Sequence, residues 1–217
     1  MTKNPILIGI AGYARTGKTT AAEALEGSGF AHLSFAAPIR LFARLVFRAI
    51  DPLFDLEADK GRPFPQLGGC TPREFMQKCG TEFGRQMIDP EMWVKVALSA
   101  ALEHIRNGRS AVISDVRFEN EARAVRDAGG VVLWLKRPGY SASGHASEKG
   151  LPADLVDFIL HNDADLPRLR KGVLEMAHWA AVWRRLYGPL AGDVEEPAVH
   201  AADAPMEPGY PISADEE

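Results

Sequence analysis

The chain is poor in cysteine: Cys70 and Cys79 are the only two in 217 residues. Neither belongs to a CxxC pair or a Cys/His cluster of metal-ligand spacing, so both are expected as free thiols. Long apolar runs are also missing. The longest, such as Ile6 to Ala11 and Val131 to Leu135, fall far below the roughly 18 residues that cross a bilayer. Met1 to Asn4 lack the basic start and apolar stretch of a signal peptide, so a cytoplasmic protein is expected. The net charge of −4 gives no general attraction to nucleic acid or acidic membrane. Neither is expected as a partner, and any polyanion must be met locally.

What is present fits a globular protein, with 46% apolar and 25% charged residues. The length suits one α/β core with an appendage. Pro5 to Ala11 reads as a strand buried on both faces, and Gly12 to Thr19 lead into a helix ending near Gly27 to Gly29. A strand over Phe30 to Phe35 precedes a helix with Pro38 in its first turn and apolar positions through Ile50. Residues 51–69 read as a covering loop. Thr71, Pro72 and Glu74 form a helix start with a capping box, predicting a helix toward Met87, and a second helix is expected from Pro90 to about Asn107. A strand over Ala111 to Ser114 ending at Asp115, a helix over Glu119 to Ala128 and a strand over Val131 to Leu135 follow. Pro138 to Gly150 reads as a loop, Val156 to Leu160 as a fifth strand, and Leu166 to Tyr187 as the last helix. Residues 188–217 are Pro-, Ala- and acid-rich, the composition of a disordered tail. Alternating strands and helices imply a parallel sheet covered on both faces, with ligands at the carboxyl ends of its strands.

Gly12-Tyr13-Ala14-Arg15-Thr16-Gly17-Lys18-Thr19 satisfies GxxxxGK[ST] between a strand and a helix. Glycines let consecutive N–H groups turn toward phosphates, and the helix adds its positive end. Gly12, Ala14, Arg15, Thr16, Gly17, Lys18, Thr19 and Thr20 are therefore the expected phosphate-binding residues. Lys18 reaches the β- and γ-phosphates, and Thr19 offers its hydroxyl to Mg²⁺.

A phosphate loop does not by itself separate a kinase from an ATPase or GTPase. Asp115, at a strand end facing the crevice, is a candidate for the metal or acceptor, or else an N-cap for the following helix. Arg117 is a candidate for the acceptor phosphate, or else a surface partner of Glu119 or Glu121. Transfer between two polyanions needs several cations. Arg15, Arg40, Arg73, Arg85 and Arg137 lie at or near element ends and supply candidates. A phosphate monoester acceptor is already largely ionised at neutral pH, so no general base is required. His145, Ser147 and Glu148 after Arg137 suit a lid that excludes water, or an ordinary solvent loop. Trp93, and Trp179 with Trp183 four residues apart, read as packing.

The order of these segments resembles the deoxynucleoside monophosphate kinases of tailed bacteriophages and prophages. The likeness runs from about Ile6 to Leu174. It rests on the phosphate loop, Ser34-Phe35-Ala36-Ala37-Pro38, Thr71-Pro72-Arg73-Glu74 with Gln77, and Gly80-Thr81-Glu82-Phe83-Gly84-Arg85. Trp93-Val94, Ser114-Asp115-Val116-Arg117-Phe118-Glu119-Asn120-Glu121 and His145-Ala146-Ser147-Glu148 extend it. Ala37 stands where the family often has an acidic residue, and the tail has no counterpart.

The resemblance implies a P-loop NTPase three-layer α/β sandwich over residues 1–187. It would have a parallel sheet of about five strands, a helical acceptor-binding insertion over about 36–107 and a lid over about 137–150. It also implies ATP or dATP as donor, Mg²⁺ as cofactor and a deoxynucleotide as acceptor. Catalytic residues would be Lys18, Arg15, Asp115 and Arg137, with Thr19 and Asp115 toward the metal. Phe35, Arg40, Arg73, Gln77, Arg85, Trp93, Asp115 and Arg117 would form the acceptor side. Small-molecule nucleotides would be the partners, a homodimer is admitted, and a phage-encoded chain would act in the host cytoplasm. Competing readings are a kinase resembling dephospho-CoA kinase, which shares a turn like His161-Asn162-Asp163, and a non-catalytic nucleotide-binding regulator or ATPase.

Overall fold

The computed structural model describes residues 4–47, 61–141 and 150–187. Five strands form one parallel sheet: β1 (Leu7–Ala11), β2 (Ala31–Leu33), β3 (Ala111–Val116), β4 (Val131–Lys136) and β5 (Phe158–His161), in the order β2-β3-β1-β4-β5. Leu7 pairs with Ala111 on one side of β1, and Ile8 with Val131 on the other. β1 is thus the central strand, buried at all five positions, which is why its sequence is a continuous apolar run rather than an alternation.

The two faces of β1 enter different cores. Ile6, Ile8 and Ile10 pack with Ala21, Ala22 and Leu25 of α1 (Lys18–Gly27) and with Leu169 and Val173 of the helix over Leu166–Tyr187. Leu7 and Ala11 pack on the opposite face with Ala122 and Val125 of the helix over Glu119–Asp127, and with Val94 and Ala97 of the helix over Met92–Arg106. Each fully buried Leu, Ile or Val contributes about 1.5–3 kcal/mol. The chain leaves β1 through α1 toward β2 and leaves β3 through the Glu119–Asp127 helix toward β4. These departures are opposite, so a crevice opens at the carboxyl ends of β1 and β3.

The remaining helices are α2 (Ala37–Val46) and α3 (Pro72–Gln77), then α4 (Met92–Arg106), α5 (Glu119–Asp127) and α6 (Leu166–Tyr187). Thr71 caps α3 as expected, its hydroxyl accepting from the Glu74 N–H at 3.1 Å and its own N–H donating to Glu74 Oε2 at 2.8 Å. The expected α-helix toward Met87 continues instead as a π-helix over Lys78–Ile88. Its cause is a close approach: Trp93 of α4 donates from Nε1 to the Gly80 carbonyl at 2.8 Å, and its ring lies against Gly84. Gly80 in turn faces Ile39 of α2.

Several boundaries move. The second strand stops at Leu33 because Ser34 to Ala36 form a turn. β3 runs through Asp115 to Val116, and β5 starts at Phe158. Trp179 and Trp183 lie outside the core, 58% and 42% exposed, because Ala177, Ala180 and Val173 form the inward stripe of α6. Both cysteines are free thiols. No described helix is long and apolar enough to cross a membrane. The lid residues His145, Ser147 and Glu148, the tail 188–217 and residues 48–60 lie outside the described residues.

A Cβ on Gly84 would sit 2.6 and 2.7 Å from Trp93 Cε2 and Cζ2. Gly84→Ala is therefore expected to destabilise the fold by about 1–3 kcal/mol in urea denaturation followed by tryptophan fluorescence.

Candidate active site

Every strand ends at the same crevice, and each contributes something to it. After β1, the loop from Gly12 to Gly17 wraps into α1. Gly12 has φ 143° and Gly17 has φ 99°. A Cβ on Gly12 would meet Thr16 Oγ1 at 2.9 Å, so the glycine is required by both conformation and space. Arg15 is the only described non-glycine residue with positive φ, at 62°, a conformation that costs about 1–2 kcal/mol. Strain of this kind persists where the surroundings hold it in place.

The holding contacts act on carbonyls. Lys18 Nζ donates to the carbonyls of Gly12 at 2.7 Å and Tyr13 at 2.6 Å. Thr16 is fully buried and donates from Oγ1 to the Tyr13 carbonyl at 2.9 Å. Arg137, just beyond β4, donates to the Arg15 carbonyl at 3.3 Å, and Asn162, just beyond β5, donates to that of Thr16 at 2.9 Å. In a trans peptide C=O and N–H point oppositely. A carbonyl held on one side therefore turns the amide that follows it to the other. α1 has no acidic residue in its first turn and no side-chain cap, so its first amides suit an anion. These residues fit nucleotide phosphates.

Asp115 does not cap a helix. One oxygen accepts from the Phe35 N–H at 2.7 Å, and the other accepts from Ser34 Oγ at 2.7 Å and the Ala36 N–H at 3.1 Å. The carboxylate thus fixes the turn between β2 and α2. Arg40 of α2 donates to the same Ser34 hydroxyl at 2.9 Å, so Arg40 joins this network. The three donors on Asp115 leave it little room for further ligands. Among the described residues no cluster of three or more His, Cys, Asp or Glu can hold a metal ion. A divalent cation would be held mainly by the exposed Thr19 hydroxyl and by phosphate oxygens.

Arg85 and Arg117 separate in role. Arg85 pairs with Glu121 Oε1 and stacks 4.4 Å from the centre of the Phe118 ring. Its charge is thereby committed inside the protein. Arg117 is exposed, and only its backbone N–H, with that of Phe118, reaches Glu121 Oε2, at 2.7 and 3.0 Å. Glu121 is not a surface partner as one reading had it, being 2% exposed; Glu119 pairs with Arg123 at 3.7 Å. Arg15 and Arg137 are exposed, with Arg137 lying over Tyr140 at 5.2 Å. Arg73 is exposed at the start of α3, with Gln77 half-buried on the same helix.

The Phe35 and Trp93 rings are 3% and 8% exposed, so both serve packing, and Phe35 enters the site through its N–H. Asn162 and the Ser34 hydroxyl were not singled out from the sequence as site groups. Their signal is position alone, one at the end of β5 and the other at the end of β2.

A family model described as deoxynucleotide monophosphate kinase matches residues 69–173, a range holding α3, α4, α5 and the start of α6 but not the phosphate loop. A provisionally named deoxynucleotide monophosphate kinase of Acanthamoeba polyphaga mimivirus is 34% identical over 73% of this chain and 89% of its own length. The deoxynucleotide monophosphate kinase of Enterobacteria phage T4 is 31% identical over 45% of this chain and 41% of its own length. The deoxynucleoside-5'-monophosphate kinase of Escherichia phage T5 is 30% identical over 44% and 40%. The match thus spans under half the length of both phage proteins. A dephospho-CoA kinase from Campylobacter jejuni shares a TM-score of 0.47 at 14% identity, over 81% of this chain and 97% of that one. That likeness is too loose to bear on activity.

Burial pushes the Glu121 carboxyl from the usual 4.5 up to about 7, against two backbone N–H groups and Arg85, with Asp115 adding repulsion. The folded state then holds this proton more tightly than the unfolded chain. The stabilisation is complete below about 4.5 and is lost as pH rises through about 7. Denaturation midpoints between pH 4.5 and 8 are expected to carry this decline in the wild type and to lack it in Glu121→Gln.

Proposed function

Because the chain belongs to the deoxynucleotide monophosphate kinase family, we propose that it transfers the γ-phosphate of ATP or dATP to a deoxynucleoside monophosphate, giving the diphosphate. The observation that carries this reading is the phosphate loop, whose carbonyls are engaged by Lys18, Thr16, Arg137 and Asn162. Its strand-to-helix setting is the one phosphate binding requires.

The amides of Ala14 to Thr20 cradle the donor phosphates. Lys18 exchanges the carbonyls of Gly12 and Tyr13 for the β- and γ-phosphates, and Arg15 and Arg137 offset charge from either side. The Thr19 hydroxyl would help hold Mg²⁺, which when bound would supply charge neutralisation. Asp115 acts chiefly by fixing Ser34 to Ala36, which sets the start of the acceptor-binding segment 36–107. Within that segment Arg40, Arg73 and Gln77 face the acceptor, while Phe35, Trp93 and Arg85 support them from inside. Arg117 meets the acceptor phosphate. No side chain need remove a proton, since a phosphate monoester presents an ionised oxygen at neutral pH. The nucleotide pool would be cytoplasmic, that of the host for a phage-encoded chain.

A coupled ADP-release assay with ATP and Mg²⁺ tests this across each deoxy- and ribonucleoside monophosphate, dephospho-CoA and no acceptor. ADP formation is expected to require a deoxynucleoside monophosphate and to fall by about 10²–10³-fold in Lys18→Ala. Equal release without acceptor would make the protein an ATPase and sink the proposal. A response confined to dephospho-CoA would name a different kinase.

A further inference from the structure

Asn162 lies 146 residues from Thr16, outside the phosphate-loop motif, yet it is tied at both ends. Its backbone N–H donates to the Lys136 carbonyl at 2.7 Å, continuing the ladder between β4 and β5. Its side-chain Nδ2 donates to the Thr16 carbonyl at 2.9 Å. Nothing loose separates the two: a Cβ built on Gly17 would stand 2.8 Å from Asn162 Nδ2 and 3.3 Å from Leu169 Cδ2 of α6. The sheet edge, the amide and the first residue before α1 are in direct contact.

We propose that Asn162 is a positioning residue of the donor site, which aims the Gly17 N–H at the donor phosphates by holding the Thr16 carbonyl away from them. The carbonyl of Thr16 and the N–H of Gly17 belong to one planar trans peptide, so fixing one fixes the other. Gly17, at φ 99°, has no side chain to resist rotation of that peptide. A neighbouring donor must therefore set its direction. Arg137 acts alike on the Arg15 carbonyl, at a longer 3.3 Å and from an exposed side chain. The half-buried Asn162 is the firmer of the two. Its role rests on the kinase reading only in taking the ligand to be a nucleoside polyphosphate, and it is testable without turnover.

The experiment is calorimetric titration of the full chain with MgADP in the absence of acceptor, for wild type, Asn162→Ala and Asn162→Asp. The aspartate keeps the side-chain volume and replaces the donor by an acceptor facing a carbonyl, so it tests the claim without opening a cavity. Loss of one hydrogen-bond geometry to a charged ligand predicts about a tenfold rise in Kd for alanine and a larger rise for aspartate. The Gly17 amide resonance should shift on adding MgADP to wild type and shift much less in either variant. In turnover, KM for ATP should rise while KM for the acceptor stays within about twofold. Wild-type affinity in both variants, or a parallel loss of donor and acceptor affinity with a lowered Tm, would overturn the assignment. Wild type that binds MgADP yet phosphorylates no acceptor would sink the kinase reading and leave the Asn162 result standing.

Discussion

The structure depends on one constraint: a short loop after β1 must keep a tight, partly left-handed course, and it does so because its carbonyls are bonded by side-chain donors. Lys18, Thr16, Arg137 and Asn162 supply the donors. Two of them belong to the loop and α1, and two arrive from the ends of β4 and β5. The parallel sheet brings these ends together, since every strand points the same way and delivers its following residues to one edge. A left-handed Arg15 and two glycines at positive φ are tolerable because the sheet beneath is rigid: Ile10 and Ala11 are fully buried.

The opposite wall of the crevice is organised by carboxylates rather than by cations. Asp115 holds the turn after β2, and Glu121 ties the Arg117 and Phe118 amides to Arg85. Both acids spend their hydrogen-bonding capacity on the protein. Each thereby fixes a segment that the ligand side needs, and the desolvation of Glu121 is the cost of that arrangement. Arg117 is the complement. Its backbone is anchored while its side chain stays in solvent.

The expected π-free helix after Thr71 shows where local reasoning ends. The capping box was readable because its bonds join residues three apart. The widening at Lys78–Ile88 was not, because it answers to Trp93 pressing against Gly84 from another helix. The same limit applies to Arg85, which looked like a phosphate ligand and is instead committed to Glu121, 36 residues away. Trp179 and Trp183 fall outside the core: helical spacing names a face without naming which face meets the sheet.

The sequence by itself determined the alternation of strands and helices, the central buried strand, the phosphate loop and the Thr71 cap. Each of these is written in contiguous residues: an apolar run, a glycine spacing, a hydroxyl three places before a carboxylate. Only the tertiary structure decided that Asp115 braces a turn, that Phe35 faces inward, that Trp93 reaches Gly80, and that Asn162 reaches Thr16. Such contacts join residues 13 to 146 positions apart. Their distances are set by strand order and helix packing, which local patterns do not encode.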